Sequence, residues 1–364
     1  MTSDSPSKND KVGLSIQDAQ EIVRKHFTDE KTVVSNLREI DHYGYSFSQT
    51  SKIYVVDLQS EDNTKSSCFI TVAQDPTTST SKYQTNALQV IHNLLETIRS
   101  KTAIPISDSV LDTSREIIPY DYLLSPPSPF ASSDIISLRE AKRRNVLDPK
   151  HQVLIDLTLG QFLAQLHTNV QNDWFGVPAL KEPGEPSYSW QETFTLLFES
   201  FMENVKHKGG YEGLPYDDIQ LYMSRAIAFF LFDDVEVPSL IWLTGSEDDI
   251  YISLPTHPST KIPSIAALLP SLTHAVWGDP LLETMFMDLN NSKTILEGYT
   301  ASGGGPLISF PRQKTKRLWY TIFLAFVVIS ESNEPLTLEQ QQKRDWAKET
   351  IVRSVTLLRD SPCY

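Results

Sequence analysis

The chain has 364 residues, 40% hydrophobic and 21% charged, the balance of an ordinary globular protein with room for more than one packed unit. Its formal net charge of -14 argues against broad, non-specific attachment to nucleic acid or to an anionic membrane surface. Two cysteines, Cys68 and Cys363, form neither a disulfide framework nor a zinc pattern, which points to a reducing, cytoplasmic setting.

Residues 1–14 read as a disordered tail, since "MTSDSPSKND" is polar and has no apolar run. "SIQDAQEIVRKHF" then sets Ile16, Ala19, Ile22, Val23 and Phe27 at helical spacing behind Ser15, a residue suited to capping. "KIYVVDLQ" and "SSCFITVA" are strand-like runs on either side of the polar "SEDNTK", which predicts a hairpin. Helical spacing returns in "YQTNALQVIHNLLETIRS", residues 83–100. "AIPIS" and "EIIPYDYLL" read as further strands, closed off by Pro126, Pro127 and Pro129. Together these make a small β-rich lobe over residues 15–126.

Residues 127–364 read as a larger, mainly helical lobe. "HQVLIDLTLGQFLAQLHTNV", "WQETFTLLFESFMENV" and "IQLYMSRAIAFFLF" are amphipathic helices, a strand-rich hairpin interrupts at 239–279, and helices resume from Leu281. The longest apolar run, "LWYTIFLAFVVIS", falls short of the roughly 20 residues that span a bilayer and reads as a buried helix. The basic runs "REAKRR" and "RQKTKR", and the acids Glu192, Glu199 and Glu203, read as solvated faces.

Three motifs occur in order: "LGQFLAQLHTNVQNDWFG" at 159–176, "AVWGDPLLE" at 275–283 and "ILEGYTASGGGPL" at 295–307. With them the chain resembles, over roughly residues 15 to 355, the aminoglycoside phosphotransferase and choline kinase branch of the protein-kinase-like fold. The resemblance implies an α+β, two-lobed fold with a small β-rich N-lobe and a larger helical C-lobe. Within these motifs His167 reads as a packing or capping group, and Asp279 as an acceptor of backbone hydrogen bonds before Pro280.

Phosphoryl transfer from ATP needs a lysine on the phosphates, carboxylates on magnesium and a base that orients the attacking hydroxyl. The family carries base and metal ligand in a His-Gly-Asp followed five residues later by Asn. Laid on "PSLIWLTGSEDDIYIS", those four residues fall on Trp242, Leu243, Thr244 and Asp249. A threonine hydroxyl does not accept a proton near neutrality as a carboxylate does. The family's second metal aspartate falls on Ser271, its strand lysine on Thr71 and that lysine's glutamate partner near Asn86. Gly44 is the only glycine of "DHYGYSFSQTSK", where the phosphate-covering turn belongs. Lys52 nearby is either a phosphate contact or an ordinary edge-strand lysine. Glu247, Asp248 and Asp249 form an acidic triplet, either a divalent-ion site or a solvated turn, with Asp249, Glu247 and Ser271 the candidate metal ligands.

The expectation from these residues is a pseudokinase with no catalytic base, needing neither ATP nor magnesium, that binds a protein or small-molecule partner and neither nucleic acid nor membrane. Two alternatives stand beside it. One is an ATP- and magnesium-dependent small-molecule phosphotransferase of specialised metabolism, its ligands relocated to Asp249 with Glu247 or Asp248. The other is a transferase of altered chemistry in the same cleft.

Overall fold

The structure is a computed structural model that describes residues 12–27, 31–40, 44–63, 65–74, 84–125, 135–254, 263–287, 293–305, 307, 310–332 and 336–363. Helix α1 (Ile16–His26) starts at a capping box: the Ser15 side chain accepts from the Asp18 amide, and the Asp18 side chain accepts from the Ser15 amide. Its Ala19, Ile22 and Val23 pack on an antiparallel sheet of order β1-β2-β3-β5-β4. The strands are β1 (Val33–Glu39), β2 (Ser51–Gln59), β3 (Lys65–Ala73), β4 (Val110–Asp112) and β5 (Asp121–Ser125). Side chains alternate across β3, so Cys68, Ile70 and Val72 lie under α1 while Phe69, Thr71 and Ala73 take the opposite face. Helix α2 (Leu88–Lys101) covers part of that second face through Leu88, Ile91 and Leu94.

The rest of the chain runs β6 (Ile135–Ser137), α3 (Leu138–Arg143), α4 (Pro149–Asn169), α5 (Trp190–His207), α6 (Tyr216–Ala228), β7 (Ser239–Ile241), β8 (Ile250–Ser253), β9 (Ser264–Leu268), β10 (Val276–Gly278), α7 (Lys293–Ala301), α8 (Pro311–Ser330) and α9 (Leu338–Leu358). Strand β7 pairs with β10, and β8 lies between β6 and β9. The main core joins Trp190, Phe194 and Phe198 of α5 to Trp319, Tyr320 and Phe323 of α8. Helices α4 and α7 cross at two glycines: a Cβ on Gly160 would stand 2.1 Å from the Ile295 carbonyl oxygen, and one on Gly298 would stand 2.3 Å from that of Leu157. Only hydrogen side chains allow backbones so close.

The expected two-lobed α+β architecture is what the chain adopts, with local differences. β1 is an additional strand, whose alternation is broken by a register shift between Val34 and Asn36. α2 begins at Leu88, because residues 84–87 are extended and the Asn86 side chain ties them to a turn of the other lobe. "AIPIS" forms no strand among the described residues, and "EIIPYDYLL" contributes only β5. α6 stops at Ala228, where Phe230 turns to φ 53. After Leu281 come short 3-10 turns before α7. Val12, assigned to the tail, is buried in the small-lobe core; residues 1–11 and the boundary prolines Pro126, Pro127 and Pro129 lie outside the described residues. The run "RQKTKR" is not a solvated face throughout: Lys316 and Arg317 are 3% and 7% exposed. Lys316 Nζ meets Asp279 at 2.5 Å and Asp234 at 2.7 Å, and the Tyr320 hydroxyl donates to Asp279, which also accepts from the Leu281 amide. Among the described residues no helix is long and apolar enough to cross a membrane.

Candidate functional site

The site begins where β7 ends. The Trp242 amide donates to Glu283 Oε1 at 2.6 Å, and His167 approaches the same oxygen, its Nε2 3.4 Å away and its Nδ1 3.0 Å from the Tyr299 hydroxyl. His167 is thus a buried packing residue. Leu243 then takes φ 65, a left-handed conformation that glycine adopts freely and that costs an L side chain roughly 1–2 kcal/mol. Thr244 follows, 1% exposed, and its hydroxyl has no hydrogen-bond partner among the described residues. Residues 245–249 turn the chain into β8.

Against this turn lies the segment 44–50 between β1 and β2, here called the strap. The Gly44 amide donates to Asp248 Oδ2 at 2.7 Å. The Ser46 hydroxyl lies against Asp249 Oδ2 and 3.0 Å from the Thr244 carbonyl oxygen. Farther along, the Gln49 amide donates to Glu331 Oε2 at 2.8 Å and its side chain to the Glu331 carbonyl at 2.6 Å. The Tyr45 ring packs against Trp346 of α9 with centroids 5.1 Å apart. The glycine is sterically required: a Cβ there would stand 2.2 Å from Ser246 Cβ. On the neighbouring side Phe69 of β3 meets Tyr251 of β8 edge to face at 5.8 Å.

The acidic triplet is therefore not a solvated turn; Asp248 and Asp249 are 5% and 1% exposed. Burial pushes the Asp249 carboxyl up to about 7, against the opposing hydrogen bonds from Ser46 and Ser246. Burial also raises Asp248, while Arg139 of α3, 2.8 Å away, acts to lower it. Glu247 points instead to Lys142 at 2.5 Å, so the basic run "REAKRR" is partly engaged with the turn and not simply solvated. Lys343 of α9 is drawn down to about 8, chiefly by burial, with Asp248 opposing the shift and Arg139 adding to it.

The other residues singled out by sequence are dispersed. Lys52 pairs with Val72 and so shares the α1 face, where its Nζ meets Glu39 at 2.9 Å; Thr71 is on the opposite face. Asn86 is a buried tether, donating from Nδ2 to the carbonyls of Leu272 at 2.7 Å and Ala275 at 3.0 Å. The Ser271 hydroxyl lies 3.3 Å from that of Thr273. Asp249, Glu247 and Ser271 thus turn to three different partners. No group of three or more His, Cys, Asp or Glu that could hold a metal occurs among the described residues. Thr71 offers no charge to a phosphate, and the strap contacts Asp248 and Asp249 through one carboxylate oxygen each, Oδ2 in both cases. Ser46, Arg139, Lys142, Lys343 and Trp346 were not singled out by the sequence as site residues, and only the basic run around Arg139 carried a signal.

No family model and no curated protein matches the sequence. Solved structures do match. A candidate aminoglycoside phosphotransferase from Ralstonia eutropha JMP134 superposes with TM-score 0.58 at 10% identity, covering 96% of this chain and 99% of that one. The chain has the fold of kinase-like phosphotransferases. LicA in complex with AMP gives TM-score 0.52 at 10% identity over 93% and 98% of the two chains. The choline kinase LicA from Streptococcus pneumoniae gives 0.53 at 9% identity over 92% and 98%. At such identities the likeness is one of fold.

Proposed function

We propose that this chain is a kinase-fold binding or accessory protein that does not transfer phosphate. The observation that carries the reading is the strap: Gly44 and Ser46 lie hydrogen-bonded against the turn from Thr244 to Asp249, where a nucleotide's phosphates and an acceptor would have to meet catalytic groups. Thr244 at the base position supports it, as does the burial of Asp249 behind the Ser46 hydroxyl. Fold alone leaves function open, and the site is where this chain departs from an active phosphotransferase.

The adjacent carboxylates Asp248 and Asp249 favour a second reading, an ATP-dependent small-molecule phosphotransferase that works with the strap withdrawn. LicA, which shares the fold, has been solved with AMP bound. Thermal unfolding with millimolar ATP, with and without magnesium, separates the two, because a ligand of the folded state raises the midpoint. The binding-protein reading expects no magnesium-dependent shift and no ATP consumption in the presence of candidate alcohol acceptors. A magnesium-dependent shift that disappears in Asp249→Ala establishes the second reading in its place.

A further inference from the structure

Helix α6 ends in a Schellman motif: the Leu231 amide donates to the Ala226 carbonyl at 3.0 Å and the Phe230 amide to that of Ile227 at 3.0 Å, which leaves Phe230 at φ 53. Glycine or asparagine usually takes this left-handed place, because a Cβ there crowds the following carbonyl. A phenylalanine suits it less, and packing does not compensate, since Phe230 is 62% exposed. Leu231, the next residue, is the one that packs, fully buried in the main core. The turn is nonetheless held in place: Arg312 at the start of α8 donates from Nη2 to the Phe230 carbonyl and from Nε to that of Leu231 at 3.3 Å. Phe229 is 54% exposed, and Phe310, two residues before Arg312, is 64% exposed.

We propose that Phe229, Phe230 and Phe310 form a docking site for a short segment of a partner protein, one that brings apolar anchors flanked by Lys or Arg. The extent of the patch selects a segment over a second globular chain. Aromatic side chains offer roughly 150–250 Å² each, so three at these exposures present about 350 Å², under half of the roughly 800 Å² per partner that a stable pair of chains buries. Charge selects the flanks. Asp233 and Glu236 stand exposed just beyond the motif with no salt bridge among the described residues, whereas Asp234 is engaged by Lys316 at 2.7 Å and Arg312 at 3.7 Å. Exposed Lys314 offsets one of these two charges, and the chain as a whole carries -14, so its field favours a cationic partner. A fixed turn that already displays its aromatic side chain lessens the ordering cost of binding, which gives the strain at Phe230 a role. The inference rests on the binding-protein reading and adds a kind of partner to it. Helix α8 has 20 residues, about 30 Å of length, so the patch and the strap's anchor at Glu331 stand at opposite ends of it.

The test pans a random library of peptides of about 12 residues against the immobilised full chain, without ATP or magnesium, and measures the enriched peptides by fluorescence anisotropy. They should share apolar residues beside Lys or Arg. Phe230→Gly and Phe310→Ser should each weaken them at least about tenfold, while Leu338→Ser, which changes an exposed apolar residue at the start of α9, should leave them unaffected. Phe230→Gly should also keep or raise the thermal midpoint, since glycine takes the left-handed turn freely, which separates lost binding from lost folding. A panning without enrichment overturns the proposal, as do enriched peptides that lack basic residues or unchanged binding in both variants. A lower midpoint in Phe230→Gly overturns it too, by making Phe230 a packing residue. Sedimentation that finds a dimer dispersed by the same two substitutions replaces it with contact between copies of this chain. Failure here leaves the ATP result untouched, and a magnesium-dependent ATP response leaves the panning readable, because the two report on opposite ends of α8.

Discussion

Gly44→Ala should lift the strap out of the cleft. The new methyl would stand 2.2 Å from Ser246 Cβ, 2.3 Å from its Oγ and 3.3 Å from Asp248 Oδ2, so the strap must retreat by about 1 Å or more to reach ordinary contact. That retreat breaks the 2.7 Å bond from the Gly44 amide to a buried carboxylate, a hydrogen bond of the class that contributes roughly 1.5–3 kcal/mol. Residual crowding adds about 1 kcal/mol. The total, near 3 kcal/mol, corresponds to roughly a hundredfold change in the closing equilibrium. Hydrogen exchange read on peptides covering 44–50 should accelerate by about that factor, while peptides from β2 and β3 serve as an internal reference and stay unchanged. Protection of the strap equal to that of the unmodified chain would refute the steric argument.

Other perturbations probe the frame around the site. Gly160→Ala should destabilise the fold by about 2–3 kcal/mol in urea unfolding despite a better helix propensity, because its methyl meets the Ile295 carbonyl and two helices must separate; an unchanged midpoint counts against the crossing described. Lys316→Met should cost about 3–5 kcal/mol by leaving Asp279 and Asp234 without their buried cation, with Lys316→Met/Asp279→Asn losing less than the two single changes summed. Burial alone would raise Glu331, yet His274 at 2.9 Å and the Gln49 amide hold its pKa below the ordinary 4.5. A depressed carboxyl contributes stability that is present above its ordinary value and lost as pH falls toward the folded one. Between about pH 5 and pH 3 the unmodified chain should therefore lose more unfolding free energy than Glu331→Gln, and parallel acid titrations of the two would contradict the assignment.

Periodicity was enough to read α1, the β2–β3 hairpin, α4 and α5, since each buries one continuous face whose spacing is written locally. β1 was harder: Val33, Ser35 and Asn36 are not buried in a strand of mixed polarity, and a register shift breaks its alternation. At the site, the resemblance alone set Thr244, Ser271 and Thr71 against the family's charged positions. The burial of Asp248 and Asp249 could not be read locally, because their partners Gly44 and Ser46 come from about two hundred residues earlier in the chain. Lys316 and Arg317 misled for a related reason. A charged run at a helix start looks solvated until the tertiary fold brings in Asp279 and Asp234.

The lobes also share a core. Leu88, Ile91, Leu94 and Ile98 of α2 are buried with Leu240, Trp242, Leu272 and Trp277 from the hairpin region of the larger lobe. During synthesis the apolar stripe on α2 therefore emerges from the ribosome roughly 180 residues before Trp277, a wait of about ten to forty seconds at ordinary elongation rates. Through that interval the nascent small lobe presents a sticky flank with nothing yet made to cover it, so newly begun chains should depend on chaperones far more than the finished protein does.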